Sequence, residues 1–297
     1  MIEARGIVKR YGDHTAVDGV SFTVEKGSAF GLLGPNGAGK TTTLHMLIGV
    51  LAPDAGEVVI GGVGPPSDPA LRARVGVAPQ SLAIYDEMSA EENLRFVGKL
   101  YRLSAARLAE RVEWCLEFSG LTERRKDRAK TFSGGMQRRL NLACALVHEP
   151  DVLLCDEPTV GVDPQSRNHI FGSIEKLCAA GTTLIYTTHY MEEAQRLCDR
   201  VAIMDHGRIL ALDTVSALID AHGGESIVEA EFAPGQGRDT GAAAGDWEGD
   251  VLRMSTPYPF EAVAKLSSGE ATIERLRIDR PDLERVFLEL TGRSLRD

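Results

Sequence analysis

The chain has 297 residues, 43% of them hydrophobic and 26% charged, which is enough for about two domains with cores of their own. Its net charge of -10 argues against a protein that binds nucleic acid mainly through phosphate attraction. No apolar run approaches the ~18 residues that span a bilayer, and Met1-Ile2-Glu3-Ala4-Arg5 leads straight into folded-looking sequence, so neither a membrane span nor a signal peptide is expected.

Short β-rich runs separated by Gly turns open the chain: Ile2 to Val8, Val17 to Val24, Phe30 to Leu33 and Val58 to Ile60. The turn signal Pro53-Asp54-Ala55-Gly56 precedes the last of them. After the third run comes Gly34-Pro35-Asn36-Gly37-Ala38-Gly39-Lys40-Thr41, the phosphate-loop pattern G-x-x-x-x-G-K-[ST]. Its glycines let the backbone close into a concave turn whose N–H groups can cradle the phosphates of a nucleoside triphosphate. Lys40 adds a positive charge at the β/γ-phosphates, and the Thr41 hydroxyl can ligate Mg²⁺. From Thr42 to Leu51 the spacing of Leu44, Leu47, Ile48 and Leu51 predicts a helix, so the loop opens onto an anion-favouring helix N-terminus.

From Asp86 to Val147 the pattern turns helical. Ser104 caps a helix with Leu108, Val112, Cys115 and Leu116 on one face, and Gly120 closes it. Ser133-Gly134-Gly135-Met136-Gln137 opens another helix; taken alone it reads as an ordinary N-cap as readily as a second anion site. The strand Asp151 to Cys155 ends in Asp156-Glu157, where a P-loop protein places a Mg²⁺-binding Asp and where Glu157 could polarise a water in line with the γ-phosphate. Helix Gln165 to Leu177, strand Thr182 to Thr187, helix Met191 to Leu197 and strand Val201 to Met204 follow. Such alternation implies a parallel sheet covered by helices. The expected fold class is therefore α/β: a RecA-like P-loop core with an antiparallel β-part near the N-terminus and a helical subdomain over about residues 86–147.

Beyond Ala221 the composition shifts, with His222-Gly223-Gly224 as boundary and Gly235 to Gly245 rich in Gly and Ala without periodicity. Ser226 to Phe232, Val251 to Ser255 and Ala271 to Ile278 look like strands. Phe260 to Leu266 and a segment carrying Leu283, Val286, Phe287 and Leu290 look like helices. Two domains are expected, 1–221 and a small α+β module over 224–297, the latter near the lower size limit for independent stability. Five cysteines (Cys115, Cys144, Cys155, Cys178 and Cys198), none in a C-x-x-C pair, are expected as buried free thiols in a reducing cytosol.

With its phosphate loop, with Ser133-Gly134-Gly135-Met136-Gln137 as signature and with Asp156-Glu157-Pro158-Thr159 as Walker B, the chain resembles the nucleotide-binding subunits of ABC transporters. Over residues 1 to about 220 the motifs stand in that family's order. The resemblance implies that Tyr11 stacks on adenine, that Gln80 in Val77-Ala78-Pro79-Gln80 senses Mg²⁺ and faces a membrane partner, that Gly161-Val162-Asp163-Pro164 is the D-loop, and that His189 is the switch histidine near the γ-phosphate. Gly34, Pro35, Asn36, Gly37, Ala38, Gly39, Lys40, Thr41 and Thr42 would hold ATP; Thr41, Gln80 and Asp156 would hold Mg²⁺; Glu157, His189, Gln80 and Lys40 would carry catalysis. The departures from the family pattern (Phe132, Met136, Val162 and Cys155) remove no catalytic group.

In this family two subunits meet head to tail, so Ser133, Gly134, Gly135 and Asp163 would close the partner copy's ATP in trans. The implied partners are a second copy joined through nucleotide and a separate integral-membrane permease, with the chain at the cytoplasmic face of the membrane. No nucleic-acid partner is expected. The ending Pro281-Asp282-Leu283-Glu284-Arg285-Val286-Phe287-Leu288-Glu289-Leu290-Thr291-Gly292 resembles bacterial ATP-binding subunits of the daunorubicin-resistance or multidrug-exporter type, which implies export of a drug or other small molecule. The alternative class is a non-transport ABC ATPase in DNA repair or ribosome regulation; the chain lacks the long coiled coils of the former and the second cassette of the latter.

Overall fold

Alternation builds the first hairpin: in β2 (His14–Val24), antiparallel to β1 (Ile2–Tyr11), Val20, Phe22 and Val24 face the core while Ser21 and Thr23 face out. The computed structural model describes residues 1–236, 245–269 and 271–292, so most of the Gly- and Ala-rich stretch, 237–244, lies outside the described residues. All five residues of β3 (Ala29–Leu33) are buried, as befits a strand covered on both faces. Helix α1 (Lys40–Leu47) follows the phosphate loop and stops short of the Leu51 predicted from spacing. Gly49 adopts φ 71°, a Cβ there would stand 2.6 Å from the Pro66 carbonyl, and the amides of Val50 and Leu51 turn back to the His45 carbonyl at 2.9 and 3.1 Å. β4 (Ala55–Ile60) then adds to β1 and completes a three-stranded antiparallel sheet.

A short α2 (Pro69–Arg72) leads into β5 (Val75–Ala78), which the sequence reading did not mark. Three helices follow: α3 (Ala90–Leu100), α4 (Ala105–Ser119) and α5 (Gly134–Leu146). Their ends obey local chemistry. Ser89 and Glu92 form a reciprocal capping box on α3; Ser104 caps α4 as expected, and Gly120 closes it at φ 63°. Leu94, Val112, Cys115, Leu116 and Leu140 form the centre of their separate core.

Alternating elements complete the first unit: β6 (Val152–Asp156), α6 (Pro164–Ala179), β7 (Thr183–Thr188), α7 (Met191–Leu197), β8 (Arg200–Asp205) and β9 (Arg208–Thr214). The six-stranded sheet runs β5-β6-β7-β3-β8-β9, parallel except for β9. β9 returns from β8 through His206 and Gly207, both at positive φ, the geometry of a tight hairpin turn. Register places Leu33 opposite Thr188 and Asp156 opposite Thr187, so three strand carboxyl ends finish side by side. Ligands of open α/β sheets gather at such ends.

The described residues divide into two compact units, Met1–Val215 and the residues from Ser216 on, so the division falls ahead of the composition shift. The second unit holds α8 (Val215–His222) apart from its first residue, then β10 (Ser226–Phe232), β11 (Asp246–Glu248), β12 (Val251–Thr256), α9 (Pro259–Ser267), β13 (Ile273–Asp279) and α10 (Leu283–Thr291). Its antiparallel sheet, β11-β12-β10-β13, packs Val228, Ala230, Phe232, Leu252 and Met254 against Leu266 of α9. All five cysteines are free; Cys178 is half-buried and the others are buried. Among the described residues no helix is long and apolar enough to cross a membrane.

A pH effect on stability follows from His148, just beyond α5. Its ring stacks on Tyr101 at 3.6 Å and 5°, and neither ring nitrogen makes a hydrogen bond of good geometry. Burial, opposed in part by the Val75 backbone and reinforced by the Arg111 charge, pushes its pKa down to about 4. The unfolded chain takes up that proton near pH 6.5, so between about pH 6.5 and 4 the unfolded state binds more protons and stability falls as pH falls. At this partly exposed ring the loss is at most about 2 kcal/mol after solvent screening. His148→Phe keeps the stack and cannot protonate, so its Tm should fall less between pH 7 and pH 5 than the parent's. Equal falls would remove His148 from the account.

Candidate functional site

The phosphate loop fills the gap between β3 and α1. Gly34 permits its close approach to the neighbouring strand, since a Cβ there would lie 2.2 Å from the Met204 carbonyl. Gly39, the residue before α1, has φ 100° and offers no side-chain cap. The first-turn N–H groups of α1 are thus left for an outside acceptor, which suits an anion.

Buried Lys40 donates from Nζ to the Gly34 carbonyl at 2.8 Å and the Pro35 carbonyl at 3.1 Å, and lies 3.1 Å from Glu157 Oε1. At the end of β6, Asp156 accepts from Thr41 Oγ1 at 3.2 Å and from Thr187 Oγ1 at 2.6 Å. Glu157 is buried and takes φ 45°, a left-handed backbone that costs a non-glycine residue of order 1–3 kcal/mol. Its N–H donates to Thr187 Oγ1 at 3.0 Å, which helps hold that conformation. Glu157 Oε2 accepts from Gln80 Nε2 at 3.4 Å and lies 3.3 Å from His189 Nδ1, which has no hydrogen-bond partner of good geometry.

Six of the predicted residues therefore meet at the strand ends: Lys40, Thr41, Gln80, Asp156, Glu157 and His189. Lys40, Thr41, Gln80 and Glu157 border an open pocket of about 420 Å³ whose wall also includes half-exposed Tyr11, Asn36, Gly37 and Thr42, while Asp156 and His189 join it through Thr41 and Glu157. Ser133, Gly134, Gly135 and Asp163 form a second group. Ser133 caps α5 through the Met136 N–H at 3.3 Å, and Asp163 caps α6 through the Ser166 N–H at 2.9 Å. A Cβ on Gly135 would stand 2.0 Å from Ser166 Oγ, whereas one on Gly134 would meet nothing within 4 Å. Ser133 and Gly134 are exposed. Among the described residues no hydrogen bond joins this group to the phosphate loop of the same chain.

Sequence reasoning missed three supporting residues. Thr187 braces both Asp156 and Glu157; the polar pair ending an apolar strand was its signal. Arg138 donates to the carbonyls of Gln80 and Val160, tying α5 to the segments flanking the pocket. His14 borders the pocket near the hairpin turn, with no local signal beyond its place beside Gly12-Asp13.

Residues 17–160 match the family model described as ABC transporter. The chain is 42% identical to the linearmycin resistance ATP-binding protein LnrL of Bacillus subtilis, across all of both chains. It is 43% identical to the Nod factor export ATP-binding protein I of Cupriavidus metallidurans, across all of this chain and 99% of that one. Among solved structures, the ATP-binding subunit of an ABC transporter superposes with a TM-score of 0.69 at 29% identity, covering 75% of this chain and 93% of that chain. The dimeric, post-hydrolysis cassette MJ0796 bound to ADP and Pi gives a TM-score of 0.65 at 25% identity, covering 72% and 98%.

Proposed function

The chain belongs to the ABC transporter family as an ATP-binding subunit and ATPase, and on that premise we propose that its ATP turnover drives export of a small molecule through a separate membrane permease. One observation carries the reading: Lys40, Thr41, Gln80 and Glu157 line one pocket at the strand ends, with Asp156 bonded to Thr41 and His189 beside Glu157. The full-length relatives named for resistance and export support transport over DNA repair or ribosome regulation.

Lys40 and the uncapped first turn of α1 bind the phosphates, and Tyr11 at the pocket wall stacks on the base. Thr41 and Asp156 offer hard oxygens within 3.2 Å of each other, and Gln80 reaches the adjacent Glu157, a donor set that suits Mg²⁺. When bound, that ion supplies neutralising charge on the β- and γ-phosphates. Glu157 takes the proton of the attacking water, and His189 steadies the γ-phosphate. Ser133, the Gly134 and Gly135 amides, and Asp163 close the site of a second copy, so two ATP molecules join two chains and hydrolysis releases them. The permease docks near Gln80 and the α3–α5 subdomain, which places the chain at the cytoplasmic face of the membrane.

Light scattering tests this. A Glu157→Gln chain should double in mass with MgATP and remain monomeric without it. Adding Ser133→Arg should abolish the doubling while leaving ATP binding intact, because a bulky cation blocks closure over the partner's ATP. Nucleotide-independent dimers would contradict the reading. Unimpaired doubling with Ser133→Arg would make Ser133 just a cap, worth about 1 kcal/mol.

A further inference from the structure

Glu193 lies on α7, outside the phosphate-loop motifs, yet it is a buried carboxylate with only 1% of its surface exposed. Both of its oxygens are doubly occupied. Oε1 accepts from Thr159 Oγ1 at 2.7 Å and Arg167 Nε at 3.1 Å. Oε2 accepts from Thr188 Oγ1 at 2.8 Å and the Tyr186 hydroxyl at 2.9 Å. A carboxylate so placed is held by charge-assisted bonds and cannot shift without stranding several donors.

The donors come from segments that flank the reacting groups. Thr159 lies two residues past Glu157, and Arg167 lies one turn into the helix that Asp163 caps. Thr188 immediately precedes His189. The Thr188 hydroxyl also accepts from the Tyr190 N–H at 2.9 Å, so the chain is tied on both sides of His189. The Arg167 guanidinium further sits 5.4 Å from the Tyr190 ring, which packs against the His189 imidazole at 4.1 Å. His189 thus has little hold of its own: Nδ1 lacks a hydrogen-bond partner, and its turn is anchored through Thr188 to Glu193.

We propose that Glu193 is a positioning residue for ATP hydrolysis, which keeps His189 aimed beside Glu157 and ties that aim to the start of α6. It touches no substrate. It acts because a carboxylate can accept four bonds from three different segments at once, which neither an amide nor an apolar side chain can reproduce. The inference rests on the reading of His189 as a group that acts on the γ-phosphate.

The test is a double-mutant cycle on single-turnover hydrolysis with radiolabelled ATP. Glu193→Gln keeps the size but turns an NH₂ toward two donors. It should lower the hydrolysis rate by about tenfold to a hundredfold, as small misplacements of reacting groups do, and change ATP affinity by less than about twofold, because the Lys40 contacts are untouched. In a His189→Ala background the same change should cost less than about twofold, since there is no longer a side chain to aim. Tyr186→Phe removes a donor that does not anchor the His189 turn, and should leave the rate near wild type. Thr188→Val carries the same cycle if Glu193→Gln fails to fold, and should slow hydrolysis in the parent but not in His189→Ala. Equal losses in both backgrounds would make Glu193 a structural residue only, and an unchanged rate would remove it altogether. A wild-type rate for His189→Ala alone would instead overturn the underlying reading of His189.

Discussion

Glu157→Gln is expected to slow ATP hydrolysis by roughly 10²- to 10⁴-fold, the usual loss on removing a general base, while the chain holds ATP longer than the parent. The first half follows from position: Glu157 is the carboxylate facing Lys40, Gln80 and His189 at the end of β6. The second follows from charge. Lys40 is partnered by Glu157 Oε1 at 3.1 Å, with both side chains buried. Neutralising Glu157 leaves the Lys40 charge free for the phosphates and takes a negative charge away from the γ-phosphate. Phosphate release measured together with retained radiolabelled ATP checks both halves. Wild-type turnover would show that another group activates the water, and loss of ATP binding would make Glu157 structural or a metal ligand.

Lys40→Ala is expected to fail earlier, at binding. A charge-assisted hydrogen bond to phosphate contributes roughly 1.5–3 kcal/mol, so affinity should fall by about 10- to 100-fold or more. The folded chain should also lose stability, because Glu157 remains buried without its ion pair and the Gly34 and Pro35 carbonyls lose their donor. Titration with a fluorescent nucleotide and a melting curve read the two effects apart. Unchanged affinity would place the phosphates away from Lys40.

Much of this site was legible because its determinants are local. The glycines of the loop, the Ser104 and Gly120 helix ends, and the apolar strand ending in Asp156-Glu157 each announce their geometry within a few residues. What could not be read depends on distant partners. Nothing near Glu157 says that its backbone is left-handed, because Thr187 on the next strand holds it there. The early end of α1 depends on Gly49 lying against Pro66. β9 was missed because its hairpin turn, His206-Gly207, lacks the commoner Asn-Gly or Asp-Gly signal. Arg138 reads as a helix-surface cation, and only the folded chain shows its fork on the Gln80 and Val160 carbonyls.

The central claim, that each ATP is closed by two chains, is tested most directly by mixing two inactive variants. Lys40→Ala spoils a chain's own phosphate loop and leaves its Ser133 group intact; Ser133→Arg does the reverse. A mixed dimer then contains one site built from an intact loop and an intact Ser133 group. Equimolar mixing should give hydrolysis well above the sum of the two variants assayed alone. If the mixture only matches that sum while both chains remain folded, Ser133 and its neighbours do not act on a partner's ATP, and the shared site is wrong.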